Sequence, residues 1–97
     1  MARTITKTPL PEKPTIETVA EFGAFIRSLR TQQGLRIDDA ASLCGVSVAL
    51  LSALENGKPR SVGLDKALQI ARQLGLALLA VPRAELPRKL ACLEHDE

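Results

Sequence analysis

The sequence predicts an all-α domain of four to five short helices, closed by a short C-terminal β-strand that pairs across a homodimer. Three observations carry this. Apolar residues recur at helical spacing from Phe22 to Leu74, and single glycines interrupt them at Gly34, Gly45, Gly57 and Gly75. Residues with capping chemistry, Thr18 and Ser47, stand where the first and third apolar runs begin. Finally, LALLAV (residues 76–81) is short, apolar on both faces and followed by Pro82, the pattern of a strand buried on both sides. No other segment reads as its ladder partner. The same segment of a second chain then supplies one, as a two-fold antiparallel ribbon built on Leu76, Leu78, Leu79 and Val81.

The elements follow in order. Residues 1–14 hold three prolines among Thr and Lys without periodicity, and read as a flexible arm. Thr18 and Glu21 have the spacing of a capping box, in which each side chain satisfies a free amide at the helix start. Phe22, Phe25, Ile26 and Leu29 form the apolar stripe of the first helix, with Arg27 and Arg30 beside it. A second helix fits residues 37–43, with Asp38 and Asp39 in its first turn, where they favour the dipole. Gly45 stops it, and Ser47 caps a third that runs to Asn56 with Leu50, Leu51 and Leu54 inward. A fourth fits residues 64–74, with Leu64, Ala67, Leu68 and Ala71 at core spacing. Residues 83–97 are polar and end acidic, a mobile tail in which Leu86, Leu90 and Leu93 form at most a weak amphipathic turn.

Composition bounds what this chain does. At 97 residues it holds one small domain, a size at which burial against a partner is a common remedy for a small core. Two Phe and no Tyr or Trp argue against base-stacking platforms for single strands or RNA. A net charge of +2 and a pI near 8.8 permit nucleic-acid binding without demanding it. The two cysteines, Cys44 and Cys92, give neither a disulfide framework nor metal spacing, and Cys92 with His95 makes only a faint metal pattern. No metal or other cofactor is expected. MARTITKTPLPEKP lacks the apolar core of a secretory signal. The longest uncharged apolar run is about half of a membrane span. A cytoplasmic location is expected. One His in the last residues, no nucleophile paired with a base and no glycine-rich phosphate loop exclude most enzyme classes.

The stretch FGAFIRSLRTQQGLRIDDAASLCGVSVALLSALENGKPRSVGLDKALQIARQLG resembles the Xre/Cro helix-turn-helix family. The likeness covers residues 22–75. Its most diagnostic parts are Arg27 and Arg30, the Gly34-Leu35 entry, the Gly45-Val46-Ser47 turn, and Leu54-Glu55-Asn56-Gly57-Lys58. It implies a lambda-repressor-like helix-turn-helix DNA-binding domain over residues 15–75, with residues 76–82 as the dimerisation strand. The closing QLGLALLAVP is similar to the HipB-like branch, in which a short strand completes an intertwined dimer. Members of that branch are commonly antitoxins that neutralise a HipA-type serine/threonine kinase and repress their own operon. The resemblance therefore implies a kinase partner and double-stranded DNA with a palindromic operator. Two departures stand out. Arg36-Ile37 replace the usual Thr-Gln at the start of the second helix, and Val48 and Ala49 replace the usual polar readers.

In such a fold the N-terminal part of the third helix enters the major groove. Its outward residues are Ser47, Val48, Ala49, Ser52, Ala53 and, near the end, Asn56. Val48 and Ala49 suit thymine methyls, and Ser47 and Ser52 suit several bases. Asn56 is placed for adenine, for phosphate or for capping its own helix. Candidate phosphate contacts are Arg27, Arg30, Arg36, Lys58 and Arg60, with Arg3, Lys7 and Lys13 of the arm as flexible additions. Glu55 is placed to pair with a basic residue. Two other readings remain open: a stand-alone regulator without a toxin, and a helix-turn-helix scaffold used only for protein interaction.

Overall fold

Each of the first four helices stops in the same way. In the computed structural model, which describes residues 5–58 and 62–94, these are α1 (Val19–Gln32), α2 (Ile37–Cys44), α3 (Val48–Glu55) and α4 (Leu64–Leu74). Within two residues of each end comes a glycine at positive φ: Gly34, Gly45, Gly57 and Gly75. The next amide donates back into the last turn, from Leu35 to the Arg30 carbonyl, Val46 to Ala41, Lys58 to Ala53 and Leu76 to Ala71. This satisfies carbonyls that the helix leaves free. Gly45 has a second reason to lack a side chain. A Cβ there would stand 3.0 Å from Nε2 of Gln69, whose amide donates to the Cys44 carbonyl and ties α4 to the end of α2.

The starts are more varied. At α1 the capping box is complete, with Glu21 N–H donating to Thr18 Oγ1 and Thr18 N–H to Glu21 Oε1, both at 3.1 Å. At α3 the Ser47 hydroxyl accepts from Leu50 N–H at 3.0 Å. Neither α2 nor α4 has a side-chain cap, but each carries acids in its first turn, Asp38 and Asp39 in one and Asp65 in the other.

The core lies where the four helices meet and is built from Ile26, Cys44, Leu51, Leu54, Ile70 and Leu74, with Phe22 and small alanines around them. Gly23 sets how closely α1 and α3 approach, because a methyl group at that position would overlap the Leu54 carbonyl oxygen. The Gln33 amide donates to the Leu74 carbonyl at 2.8 Å and joins the ends of α1 and α4. Burial pushes the Cys44 thiol above its ordinary value of 9.0, so it stays neutral and acts as a small core residue. The inward stripe of α4 differs from the one its spacing predicts. Ile70, Ala71 and Leu74 are buried, whereas Leu64 and Leu68 are 72% and 40% exposed.

The C-terminal strand is not there. Residues 76–82 form no ladder, and no strand occurs among the described residues, so pairing as a β-ribbon across a dimer is withdrawn. Apolarity on both faces signalled burial, but a strand also needs backbone partners, and none is within reach. The segment instead runs as irregular chain, with Leu76 packed against the core and Leu78 and Leu79 exposed. A 3₁₀ turn (Arg83–Glu85) and a fifth helix, α5 (Leu86–Glu94), follow where a polar tail was expected. Pro87 fits there because the first turn of a helix needs no amide donor at that place.

Residues 5–17 have no regular structure, yet residues 8 and 9 are fastened to α1. Thr8 N–H donates to Thr31 Oγ1 at 2.9 Å, Ser28 Oγ to the Pro9 carbonyl at 2.8 Å, and the Gln32 amide to the Thr8 carbonyl at 2.8 Å. Among the described residues Ser28 and Thr31 are the two buried polar ones, and these bonds account for their hydroxyls.

Candidate nucleic-acid interface

Two eight-residue helices, α2 and α3, meet at 111° across a three-residue link, 45–47. Helices joined at about 90–120° by such a short turn make a helix-turn-helix. The link contributes Gly45 in the left-handed region, Val46 packed against the core, and Ser47 as the cap of α3. Leu51 and Leu54 hold the inner side of α3, leaving Val48 and Ala49 exposed and Ser52 and Ala53 half-buried.

An ion pair fixes how α3 sits. Arg30 Nε donates to Glu55 Oε2 at 2.6 Å and Nη2 to Oε1 at 2.8 Å, while Nη1 donates to the Leu35 carbonyl at 2.9 Å. The side chains are 12% and 4% exposed, so charge-assisted bonds are made with little water present. Arg30 is therefore a brace between α1, its following turn and α3, and not the open phosphate ligand that its position on α1 suggests.

The other charges face solvent. Arg27 and Lys58 are exposed, and Arg36, at the N-cap of α2, has a side chain 67% exposed with Nε 3.8 Å from Asp38 Oδ1. Lys7 and Lys13 are exposed on the N-terminal segment. Arg3, Arg60 and His95, and the side chain of Cys92, lie outside the described residues. The amide of Asn56 is turned back onto the Ser52 carbonyl at 2.9 Å, where it closes α3. A bidentate contact with adenine requires it to swing away.

A model of the helix-turn-helix domain family matches residues 21–87. The chain belongs to that family. It is also 38% identical over 63 residues to an uncharacterized HTH-type transcriptional regulator, y4mF, of Sinorhizobium fredii, an alignment covering 65% of this chain and 82% of the relative. The chain is thus a DNA-binding, non-catalytic helix-turn-helix transcriptional regulator, in keeping with the crossing of α2 and α3. Among the described residues of this regulator, no single helix is long and apolar enough to cross a membrane.

Two features of the helix-turn-helix were hidden in the sequence. The Arg30–Glu55 brace spans 25 residues, with no local pattern to say which arginine Glu55 takes. The Gln69 and Gln33 amides that close α2 and α4 read as ordinary surface glutamines. The residues Leu76, Leu78, Leu79 and Val81 line a groove elsewhere, and among the described residues none of the candidate DNA contacts shares it.

Proposed function

We infer that this chain is a dimeric regulator that seats two copies of α3 in successive major grooves of a palindromic operator and so blocks a promoter. The carrying observation is the braced α2–α3 pair, crossed at 111°, tied to α1 on its inner side and open on its outer one. A helix held in this way can enter the major groove without rearrangement.

The outer surface supports reading by shape and methyl contact. Val48 and Ala49 meet thymine methyls, and Ser47 and Ser52 bond to neighbouring base edges or through water. Asn56 adds an adenine contact only after releasing Ser52. Affinity comes from phosphate neutralisation by Arg27, Arg36 and Lys58, together with Arg60, whose place is outside the described residues. Arg30 is omitted because Glu55 holds it. Each phosphate contact in each half-site releases counterions, which makes binding fall steeply with salt.

A stand-alone regulator accounts for these features. A kinase-bound antitoxin is the second reading; it rests on the sequence likeness of QLGLALLAVP to the HipB-like branch alone, since the strand of that branch is absent among the described residues. A kinase-like gene beside this one, and co-purification of its product with this chain, would favour it.

The test is fluorescence anisotropy on duplex DNA from upstream of the gene and on a scrambled duplex, across a salt series. The expected result is saturable binding with a clear preference for the upstream duplex. Ala49→Glu puts a carboxylate against the groove and should weaken that binding by at least about tenfold, the scale of one lost base contact. Unchanged affinity would remove α3 as the reader. No binding at low salt would favour a scaffold that contacts only protein.

A further inference from the structure

α3 is held at both of its ends, by two different helices. At the C-terminal end the Arg30 guanidinium of α1 grips Glu55. At the N-terminal end the link 45–47 rests on α4 through Gln69. The amides of Gly45 and Val46 turn back to the carbonyls of Ser42 and Ala41. The last carbonyl of α2, that of Cys44, takes the side-chain amide of Gln69 at 2.6 Å. The same nitrogen is 3.0 Å from the point where a Cβ on Gly45 would stand, so the amide lies against the link itself. Gln69 directly precedes Ile70, which is wholly buried, so core packing fixes where its side chain starts.

We propose that Gln69 is a positioning residue for DNA reading: from α4 it sets where the first turn of α3, with Ser47, Val48 and Ala49, meets the major groove. The proposal rests on the reading of α3 given above and adds a residue that touches no DNA. Only the three-residue link separates the Cys44 carbonyl from Val48, so little chain is available to absorb a shift of that carbonyl. The readers make this shift costly. A gap of about 0.5–1 Å forfeits a quarter to a half of a dispersion contact, and that is the contact a thymine methyl offers. A long arginine or lysine could reach across such a gap, whereas Val48 and Ala49 cannot. The phosphate ligands Arg27, Arg36 and Lys58 have the long side chains that tolerate it. Loss of the Gln69 donor therefore lowers the preference for one sequence and spares binding that any duplex supports. Gln69 is otherwise exposed, so replacing it opens no cavity in the core.

Three variants of the full chain test the proposal. Gln69→Met keeps the length and removes the donor, and Gln69→Lys restores a donor to the same carbonyl. Gln33→Met is the control, since it removes a bond of the same kind between the ends of α1 and α4, away from the link. The first readout is amide hydrogen exchange by NMR on the free protein. In Gln69→Met the amides of Val46 and Leu50 should exchange about fivefold faster, the scale of one lost hydrogen bond, while that of Lys58 at the far end of α3 is unchanged. The second readout is the ratio of Kd on the scrambled duplex to Kd on the upstream duplex. It should fall by about fivefold in Gln69→Met, return in Gln69→Lys and hold in Gln33→Met. A ratio unchanged in Gln69→Met, not restored by Gln69→Lys, or lost equally in Gln33→Met overturns the proposal. So does unchanged exchange at Val46 and Leu50, whatever the duplexes show. If the wild type itself prefers neither duplex, the operator reading falls, and faster exchange in Gln69→Met still establishes that Gln69 holds the link.

Discussion

One long-range arginine–glutamate pair braces the helix-turn-helix and another lies beside the groove, and the two pairs are opposites. Arg30–Glu55 is short and enclosed, with side chains 12% and 4% exposed. Arg83–Glu17 joins the 3₁₀ turn to the segment before α1 beside the groove at 3.3 Å, with side chains 79% and 46% exposed. The same chemistry therefore does different work. Enclosed, it fixes the angle of a helix; in water, it competes with solvent at both partners and holds little. A surface that reads DNA benefits from being set before the ligand arrives.

Breaking the enclosed pair should have the largest effect. Glu55→Ala leaves the Arg30 guanidinium without its partner and should cost about 3–5 kcal/mol in denaturant unfolding, with loss of DNA binding. Next comes the close approach beneath it. Gly23→Ala drives a methyl into the Leu54 carbonyl and should cost about 3 kcal/mol, because backbone must move to relieve it. Ser47→Ala removes the hydroxyl that caps α3 and should cost about 1 kcal/mol by the same measurement.

An alkaline titration sharpens the comparison further. The folded state holds the Cys44 thiol above its ordinary value of 9.0, so the stability tied to its neutral form is complete below that pH and declines as pH rises through the folded value. Unfolding melts followed upward from neutral pH in a Cys92→Ser background should show that decline, and Cys44→Ala should remove it. The smallest effect belongs to the groove-side pair. Glu17 raises Arg83 through its hydrogen bond and then its charge, further beyond the range of the titration, so this pair adds nothing to it. Arg83→Ala should leave the melting temperature unchanged. A measurable drop would mean that the exposed pair stabilises the fold after all.

The helical part of this fold was legible because its signals are local. A glycine after each apolar run, the Thr18–Glu21 box and the Ser47 cap all act within one turn. What depends on distant residues was not. On α4, one apolar stripe through Leu64 and Leu68 and another through Ile70 and Leu74 are both consistent with a period of 3.6, and only packing against α1 and α2 chose the second. Residues 76–81 were read as a strand buried on both faces, whereas Ala77, Leu78, Leu79 and Ala80 are exposed and no ladder forms; hydropathy reports a need for cover without saying whether backbone or side chains provide it. The pairing of Arg30 was hidden for a similar reason: an arginine beside an apolar stripe suits phosphate and carboxylate equally, and Glu55 is 25 residues away. Of the proposed readers, Val48 and Ala49 were placed by the cap at Ser47, a short step in sequence.

The fastening of residues 8 and 9 to α1 also orders events while the chain is being made. Its hydrogen bonds span 19 to 24 residues, so they are available once α1 has emerged. The Arg83–Glu17 contact spans 66 residues and must wait until nearly all of the chain is free. Closing short loops first costs less entropy than closing long ones. A nascent chain thus shields Ser28 and Thr31 early, while the apolar segment 76–81 emerges only after the four helices whose core it flanks.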